Sequence, residues 1–357
     1  MEKIFVTKTF LPPLEEYVEY LQEIWDSGFI TNDGPMFQRF EKELAKFTSH
    51  EHLVCLGNGT LALQIAIRAL KLKGNVITTP FTHVASSGTL YWENCNPVYC
   101  DIDPATFNID PDKIESLIDE NTTAILAVHV YSNPCDMEKI ASIAAKHKLK
   151  VLYDAAHAFG ATYLGKSVFS YGDMSMASFN ATKGFHTVEG GALFAKDQDM
   201  VASIRRLAYF GMNTGKEIVQ KDGMNAKLIE FCAAMGLLNL KYFAQGMENR
   251  KARYEQYLGL LDQNDKIKFQ KIVGEINYSY MPILCETVDH KKLIVKTLQA
   301  NGVYPREYFS PSLETVFSDT ITCPVAYDVS RRVLCLPMSD YTTEEQVAYI
   351  CDIIIQA

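Results

Sequence analysis

Between Gly57 and about Lys196 the chain repeats one pattern: short runs that are apolar throughout, separated by stretches whose apolar residues recur at helical spacing. The runs are V-I-T-T-P (76–80), P-V-Y-C-D-I-D (97–103), A-I-L-A-V-H-V (124–130), K-V-L-Y-D (150–154), M-S-M-A-S-F (174–179) and G-A-L-F-A (191–195). A strand with one wet face alternates polar and apolar residues. A run without alternation is buried on both faces, as in a mostly parallel sheet covered by crossover helices. The segment D-M-E-K-I-A-S-I-A-A-K-H-K (136–148) places Ile140, Ile143 and Ala144 at helical spacing, with lysines near the C-terminal end where the helix dipole favours cations. It reads as one such crossover, and the pattern as a whole predicts an α/β fold.

Later the pattern changes. Residues 226–261 are helical in spacing and charged at intervals; then come Y-S-Y-M-P-I-L-C (278–285), a helix around Lys291 to Asn301 and a closing helix from Thr343. The change predicts a boundary near residues 240–250, with 1–245 forming a large α/β domain and 246–357 a smaller C-terminal α+β domain, to which the N-terminal segment returns. The length of 357 residues fits this, because a single hydrophobic core usually stops growing below that size.

Composition narrows the function classes. With 48% hydrophobic and 22% charged residues the chain is globular. A net charge of -9 supplies no basic footprint for nucleic acid. The start, M-E-K-I-F-V-T-K-T-F, has no apolar signal stretch, and no run nears the roughly 18 residues that span a bilayer, so a cytoplasmic protein without membrane partners is expected. Nine cysteines stand singly, with no C-x-x-C pair, which reads as small buried hydrophobes in a reducing compartment and predicts no metal site.

Three stretches carry candidate chemistry. V-L-Y-D-A-A-H-A-F-G-A (151–161) ends an apolar run on Asp154, where ligands of open α/β sheets gather, although the same aspartate could cap a helix. S-F-N-A-T-K-G-F-H-T-V-E-G-G-A (178–192) sets Lys183 between two strands rather than on an ordinary solvated surface. G-N-G-T-L-A-L-Q-I-A-I (57–67) opens an apolar helix on glycines and a threonine, and a helix N-terminus can take a phosphate. A lysine that holds an aldehyde and moves protons, a carboxylate for a pyridinium nitrogen and a phosphate cradle are the parts of pyridoxal phosphate chemistry. Taken singly, His157 could be a satisfied structural histidine, Ser178 a strand end, and Gly190 and Gly191 plain punctuation.

Together the blocks resemble the DegT/DnrJ/StrS family of sugar aminotransferases over nearly the whole length. F-I-T-N-D-G-P-M-F-Q-R-F-E-K-E-L-A (29–45), G-N-G-T-L-A-L, T-P-F-T-H-V-A-S, P-V-Y-C-D-I-D, V-H-V-Y-S-N-P-C-D, Y-D-A-A-H-A-F-G, S-F-N-A-T-K and G-M-N-A-K-L-I-E-F-C-A-A-M-G-L-L-N-L (223–240) follow in the family's order. The resemblance implies a fold type I architecture with a seven-stranded-type sheet, pyridoxal 5'-phosphate as cofactor with pyridoxamine phosphate as its amino form, and a homodimer. It gives Lys183 the covalent hold on the cofactor and the proton shuttle, and Asp154 the pyridinium nitrogen. His157 stands where many relatives have glutamine beside the ring hydroxyl. Gly59, Thr60 and Ser178 would bind the phosphate, with Asn225 reaching it from the partner subunit. His83 aligns with the residue that stacks on the ring, usually Phe or Trp. Other departures are Asn180 for a common histidine, Ser132 for glycine and Lys227 for arginine. Thr31, Asn32, Asp33, Asn180 and the lobe segment Y-P-R-E-Y-F (304–309) with Arg306 are the expected substrate contacts, although Arg306 would serve equally as a surface ion pair. The implied reaction takes an amino group from L-glutamate to a nucleotide-linked keto sugar. The wording of T-P-F-T-H and D-A-A-H-A-F-G lies closest to enzymes making dTDP-4-amino-4,6-dideoxyglucose for O-antigen or a similar glycan. A 3-keto acceptor, a UDP or GDP sugar, another fold type I reaction on a small amino acid such as β-elimination, and a regulatory relative without turnover are the alternatives.

Overall fold

A computed structural model describes residues 3–318 and 320–357. At its centre lies a seven-stranded sheet, in spatial order Leu53–Leu56, Gly191–Ala195, Met174–Ser178, Lys150–Asp154, Thr122–Val128, Gly74–Thr78 and Cys95–Tyr99. Gly191–Ala195 pairs antiparallel with both neighbours, and every other pair is parallel. Successive residues of one strand enter different cores, Val151 and Tyr153 on one face and Leu152 on the other. This two-sided burial explains the unbroken apolar runs. The first face is covered by Pro35–Thr48, through Phe37, Phe40 and Leu44, by Met137–His147, through Ile140, and by the start of Glu230–Leu261. The second is covered by Gly59–Ala69 and Gln198–Ala208.

The expected strand positions hold, with shifted ends. The runs 76–80, 97–103 and 124–130 pair from Gly74, Cys95 and Thr122 and leave the sheet after Thr78, Tyr99 and Val128. At the carboxyl edge one more rung closes the ladder, the His129 N–H donating to the Asp154 carbonyl, and the remaining residues of these runs lie beyond the strands. Leu53–Leu56 lies outside the predicted runs, a four-residue strand too short to stand out by periodicity. Residues 226–229 are not helical, because Lys227 bridges Leu56 and Asn225 bridges Tyr209 in extended pairing before the helix starts at Glu230.

A second, three-stranded antiparallel sheet joins Ile267–Phe269, Met281–Cys285 and Val333–Leu336. Helices Val288–Ala300 and Glu344–Ile355 pack on it, each with a threonine N-cap, Thr287 and Thr343. The N-terminal segment does return here, Ile4–Phe5 pairing in parallel with Val303–Tyr304. The expected division at 245/246 falls inside the continuous 32-residue helix Glu230–Leu261, which gives Ala233 and Leu237 to the first core and Tyr254, Tyr257 and Leu261 to that of the smaller sheet. Eight of the nine cysteines are buried, Cys232 partly so.

Candidate active site

At the carboxyl edge of the parallel strands lies a cavity of about 800 Å³. Asp154, the last residue of its strand, is 4% exposed on the cavity wall. Its Oδ2 accepts from Ser86 Oγ at 2.7 Å and its Oδ1 from the Ala156 N–H at 3.0 Å, so the cap alternative reduces to closing a turn; no helix begins there. Burial raises the carboxyl's pKa, while these two bonds and the nearby Lys183 and His83 pull it the other way.

Lys183 follows the strand Met174–Ser178 in a tight turn in which its N–H bonds the Asn180 carbonyl. Its Nζ donates to Tyr280 Oη at 3.5 Å. Burial lowers the amine's pKa to about 8 against the opposing pull of the Asp154 charge. It is a desolvated amine beside a carboxylate, the state a nucleophilic lysine needs.

His157 is 7% exposed, and its Nδ1 accepts the Tyr131 N–H at 3.4 Å, which places the ring proton on Nε2. Its ring packs against Tyr280 at 4.6 Å and parallel to Phe309 at 5.4 Å between centroids. Burial, then Lys183 and His83, pushes its pKa well below the usual value, so it stands neutral. His83 also lines the cavity; it caps the helix Val84–Trp92, with its Nδ1 accepting the Ala85 N–H at 3.2 Å.

At the cavity's other end, Asn58 Oδ1 accepts the Leu61 N–H at 2.8 Å, leaving the first amides of the helix, Gly59 and Thr60, at the wall with Ser178. A Cβ on Gly59 would sit 2.9 Å from Ser178 Cβ and 3.2 Å from its Oγ. One on Gly191 would come 2.8 Å from the Asn58 carbonyl carbon. Both glycines thus let backbone and hydroxyl converge on one cradle.

Asn180 and Arg306 line the same cavity. Asn180 donates to Glu189 Oε1 at 2.7 Å and accepts from Thr182. Thr31, Asn32, Asp33 and Asn225 do not line it in this chain. Asp33 accepts from the Tyr209 hydroxyl, and Asn225 is exposed, its backbone bridged to Tyr209, so these residues form a separate face. From the expected lobe segment 304–309, Tyr308 and Phe309 line the cavity beside Arg306; Thr7, Ser86, Glu189 and Tyr280 also line it, and sequence reasoning did not single these four out. Ser86 was within reach, three residues after His83 on one helix; nothing in the sequence ties 280 to 183.

A buried amine, a buried carboxylate, a neutral imidazole N–H and a glycine-opened helix start around one cavity fit pyridoxal phosphate. Among the described residues no cluster of metal-ligating side chains occurs. The profile of the DegT/DnrJ/EryC1/StrS aminotransferase family matches residues 14–355. A dTDP-4-amino-4,6-dideoxy-D-glucose transaminase of Shigella dysenteriae is 42% identical, covering 98% of this chain and 98% of its own, and the enzyme of the same name from Escherichia coli is 36% identical, covering 98% and 97%. The crystal structure of DesI in the presence of its TDP-sugar product superposes with a TM-score of 0.94 at 30% identity over 99% of this chain and 92% of that one. The chain therefore belongs to the DegT/DnrJ/EryC1/StrS aminotransferase family and is a pyridoxal-phosphate-dependent transaminase.

Proposed function

We propose that the chain moves an amino group from L-glutamate to dTDP-4-keto-6-deoxy-D-glucose, giving dTDP-4-amino-4,6-dideoxy-D-glucose, as a cytoplasmic homodimer serving O-antigen or a related lipopolysaccharide glycan. The observation that carries the chemistry is the convergence of Lys183, Asp154 and the Gly59 cradle on one cavity. The names of the two relatives above support the sugar.

When bound, pyridoxal phosphate supplies an aldehyde that takes up the amino group and a ring that accepts the electron pair left by proton removal. Lys183 Nζ holds the cofactor at rest. Once free, it takes a proton from the donor's α-carbon and later delivers one to carbon 4 of the sugar. Asp154, kept in place by Ser86 and the Ala156 amide, holds the positive ring nitrogen. His157 would offer its Nε2–H to the ring oxygen, and His83 would stack on the ring. Gly59, Thr60 and Ser178 bind the phosphate, joined by Asn225 of the second subunit. Asn180 and Arg306 meet the sugar nucleotide, with Thr31, Asn32 and Asp33 reaching it across the dimer. In domain terms, 1–245 holds the cofactor and 246–357 supplies the wall bearing Arg306.

The test is spectral. The protein is treated with L-glutamate until its visible absorbance bleaches, and keto sugar nucleotides are then offered one at a time. Fastest recovery with dTDP-4-keto-6-deoxy-D-glucose is the expected result. Faster recovery with a 3-keto, UDP or GDP sugar would replace the acceptor, and no bleaching by any amino donor would defeat the transaminase itself. Lys183→Ala is expected to bind cofactor that borohydride does not fix.

A further inference from the structure

Tyr280 immediately precedes Met281–Cys285, the central strand of the smaller sheet, yet it is 8% exposed and lines the cavity. Its segment is pinned on several sides. Asn277 Nδ2 donates to the His157 carbonyl at 2.8 Å and the Phe159 carbonyl at 2.9 Å, its N–H to Ser132 Oγ at 2.9 Å, and its Oδ1 accepts the Ser279 N–H at 3.1 Å. The Tyr280 ring packs against His157 and, at 5.7 Å, against Tyr131. On the lysine's side, a Cβ on Gly184 would come 2.1 Å from Ser279 Oγ, so the backbone after Lys183 lies directly against this segment. The phenol is thus a fixed group facing a long, flexible side chain.

We propose that Tyr280 is a positioning residue for Lys183: its oxygen is the neutral acceptor on which the lysine ammonium rests whenever the amine is free of the cofactor. The 3.5 Å contact from Nζ to the phenol oxygen places it there. The other titratable groups that line the cavity with the amine are Asp154 on the strand end, His83 at a helix start, His157 on the following turn, and Glu189, Arg306 and Tyr308 on the cavity wall. Behind Gly184 lies Arg250, already paired with Asp340. Asp154 supplies the opposing charge, and in the working enzyme that carboxylate is committed to the cofactor. A neutral phenol is left to hold the amine where it can reach carbon on either substrate. Burial keeps the phenol protonated, its pKa pushed well above the usual value, so it does not compete as a base.

The role in turnover rests on the aminotransferase reading; the contact itself does not, and the experiment separates the two. Tyr280→Phe keeps the ring and removes the oxygen. In the cofactor-free protein, acetylation of Lys183 by acetic anhydride, followed by peptide mass spectrometry, gives the amine's titration midpoint. The native midpoint near pH 8 is expected to fall by roughly half a unit to one unit in Tyr280→Phe, because the ammonium loses its acceptor. In the loaded protein the half-reaction with L-glutamate is expected to slow by roughly 3–10-fold with cofactor affinity unchanged. An unmoved midpoint overturns the proposal, whatever sugar the enzyme proves to use.

Discussion

Asp154 shows how one residue is prepared for its task. A carboxylate this buried is destabilised in its charged form, and the fold offsets that first with two donors and less with the nearby Lys183 and His83 charges. The arrangement suits a residue whose cationic partner arrives with the cofactor. Asp154→Asn keeps the shape and removes the charge; its kcat is expected to fall about 100-fold or more while cofactor still loads, measured by turnover beside absorbance. Ser86→Ala removes one of two donors, and a loss of about tenfold or less is expected. For Lys183 the sign of the pH effect follows from the lowered pKa of about 8. The neutral amine is the reactive form, so capture of cofactor by the apoprotein is expected to accelerate about tenfold per unit below pH 8 and flatten above it. A rate that stays level from about pH 6 to pH 9 would contradict this. At this scale the sequence reveals residues that end apolar runs or open helices, as Asp154 and Gly59 do. It conceals Tyr280, which meets Lys183 across 97 positions through a contact made only by tertiary packing.

At the scale of elements, the legible features were those that repeat. A strand buried on both faces must be apolar at every position, so the inner strands announced themselves. Leu53–Leu56 did not, because four residues between a polar stretch and a glycine carry too little pattern. The long helix hid the boundary between sheets, since its apolar face serves two cores in succession. The same reasoning separates two glycines. Gly59 opens a helix with Ser178 Cβ 2.9 Å from where its own Cβ would stand, whereas Gly88, inside Val84–Trp92, faces open space. Gly59→Ala is expected to push the hydroxyl and helix start apart and raise the cofactor's dissociation constant about tenfold or more. Gly88→Ala, by contrast, should stabilise the protein by about 0.5–1 kcal/mol in thermal melts, through helix propensity alone. Equal effects of the two would remove the argument that close approach, rather than backbone freedom, selects Gly59.

For the whole molecule, the residues outside the cavity are as informative as those within it. Phe29, Ile30, Phe210, Ile218, Val219 and Ile229 are 44–69% exposed, a large apolar surface for a water-facing wall. They are tied together: the Glu230 N–H bonds the Ile30 carbonyl, the Tyr209 hydroxyl bonds Asp33, Asn225 bridges Tyr209, and Met212 bridges Ile218. The face therefore carries Thr31, Asn32, Asp33 and Asn225 together, the site residues that this chain's own cavity leaves out. A two-fold dimer would explain both facts, since one surface would bury its apolar side chains and deliver its polar ones to the second cavity. Mixing two impaired proteins distinguishes this arrangement from service within one chain. Lys183→Ala lacks the amine but keeps a working Asn225; Asn225→Ala keeps the amine but lacks the phosphate contact. If Asn225 acts across the dimer, half of the randomly reassociated dimers are mixed. Each has one cavity with both residues intact, so activity is expected to recover to about one quarter of the wild-type value. If Asn225 serves its own cavity, every cavity in the mixture lacks one residue or the other, and mixing adds nothing to the residual rate of Asn225→Ala.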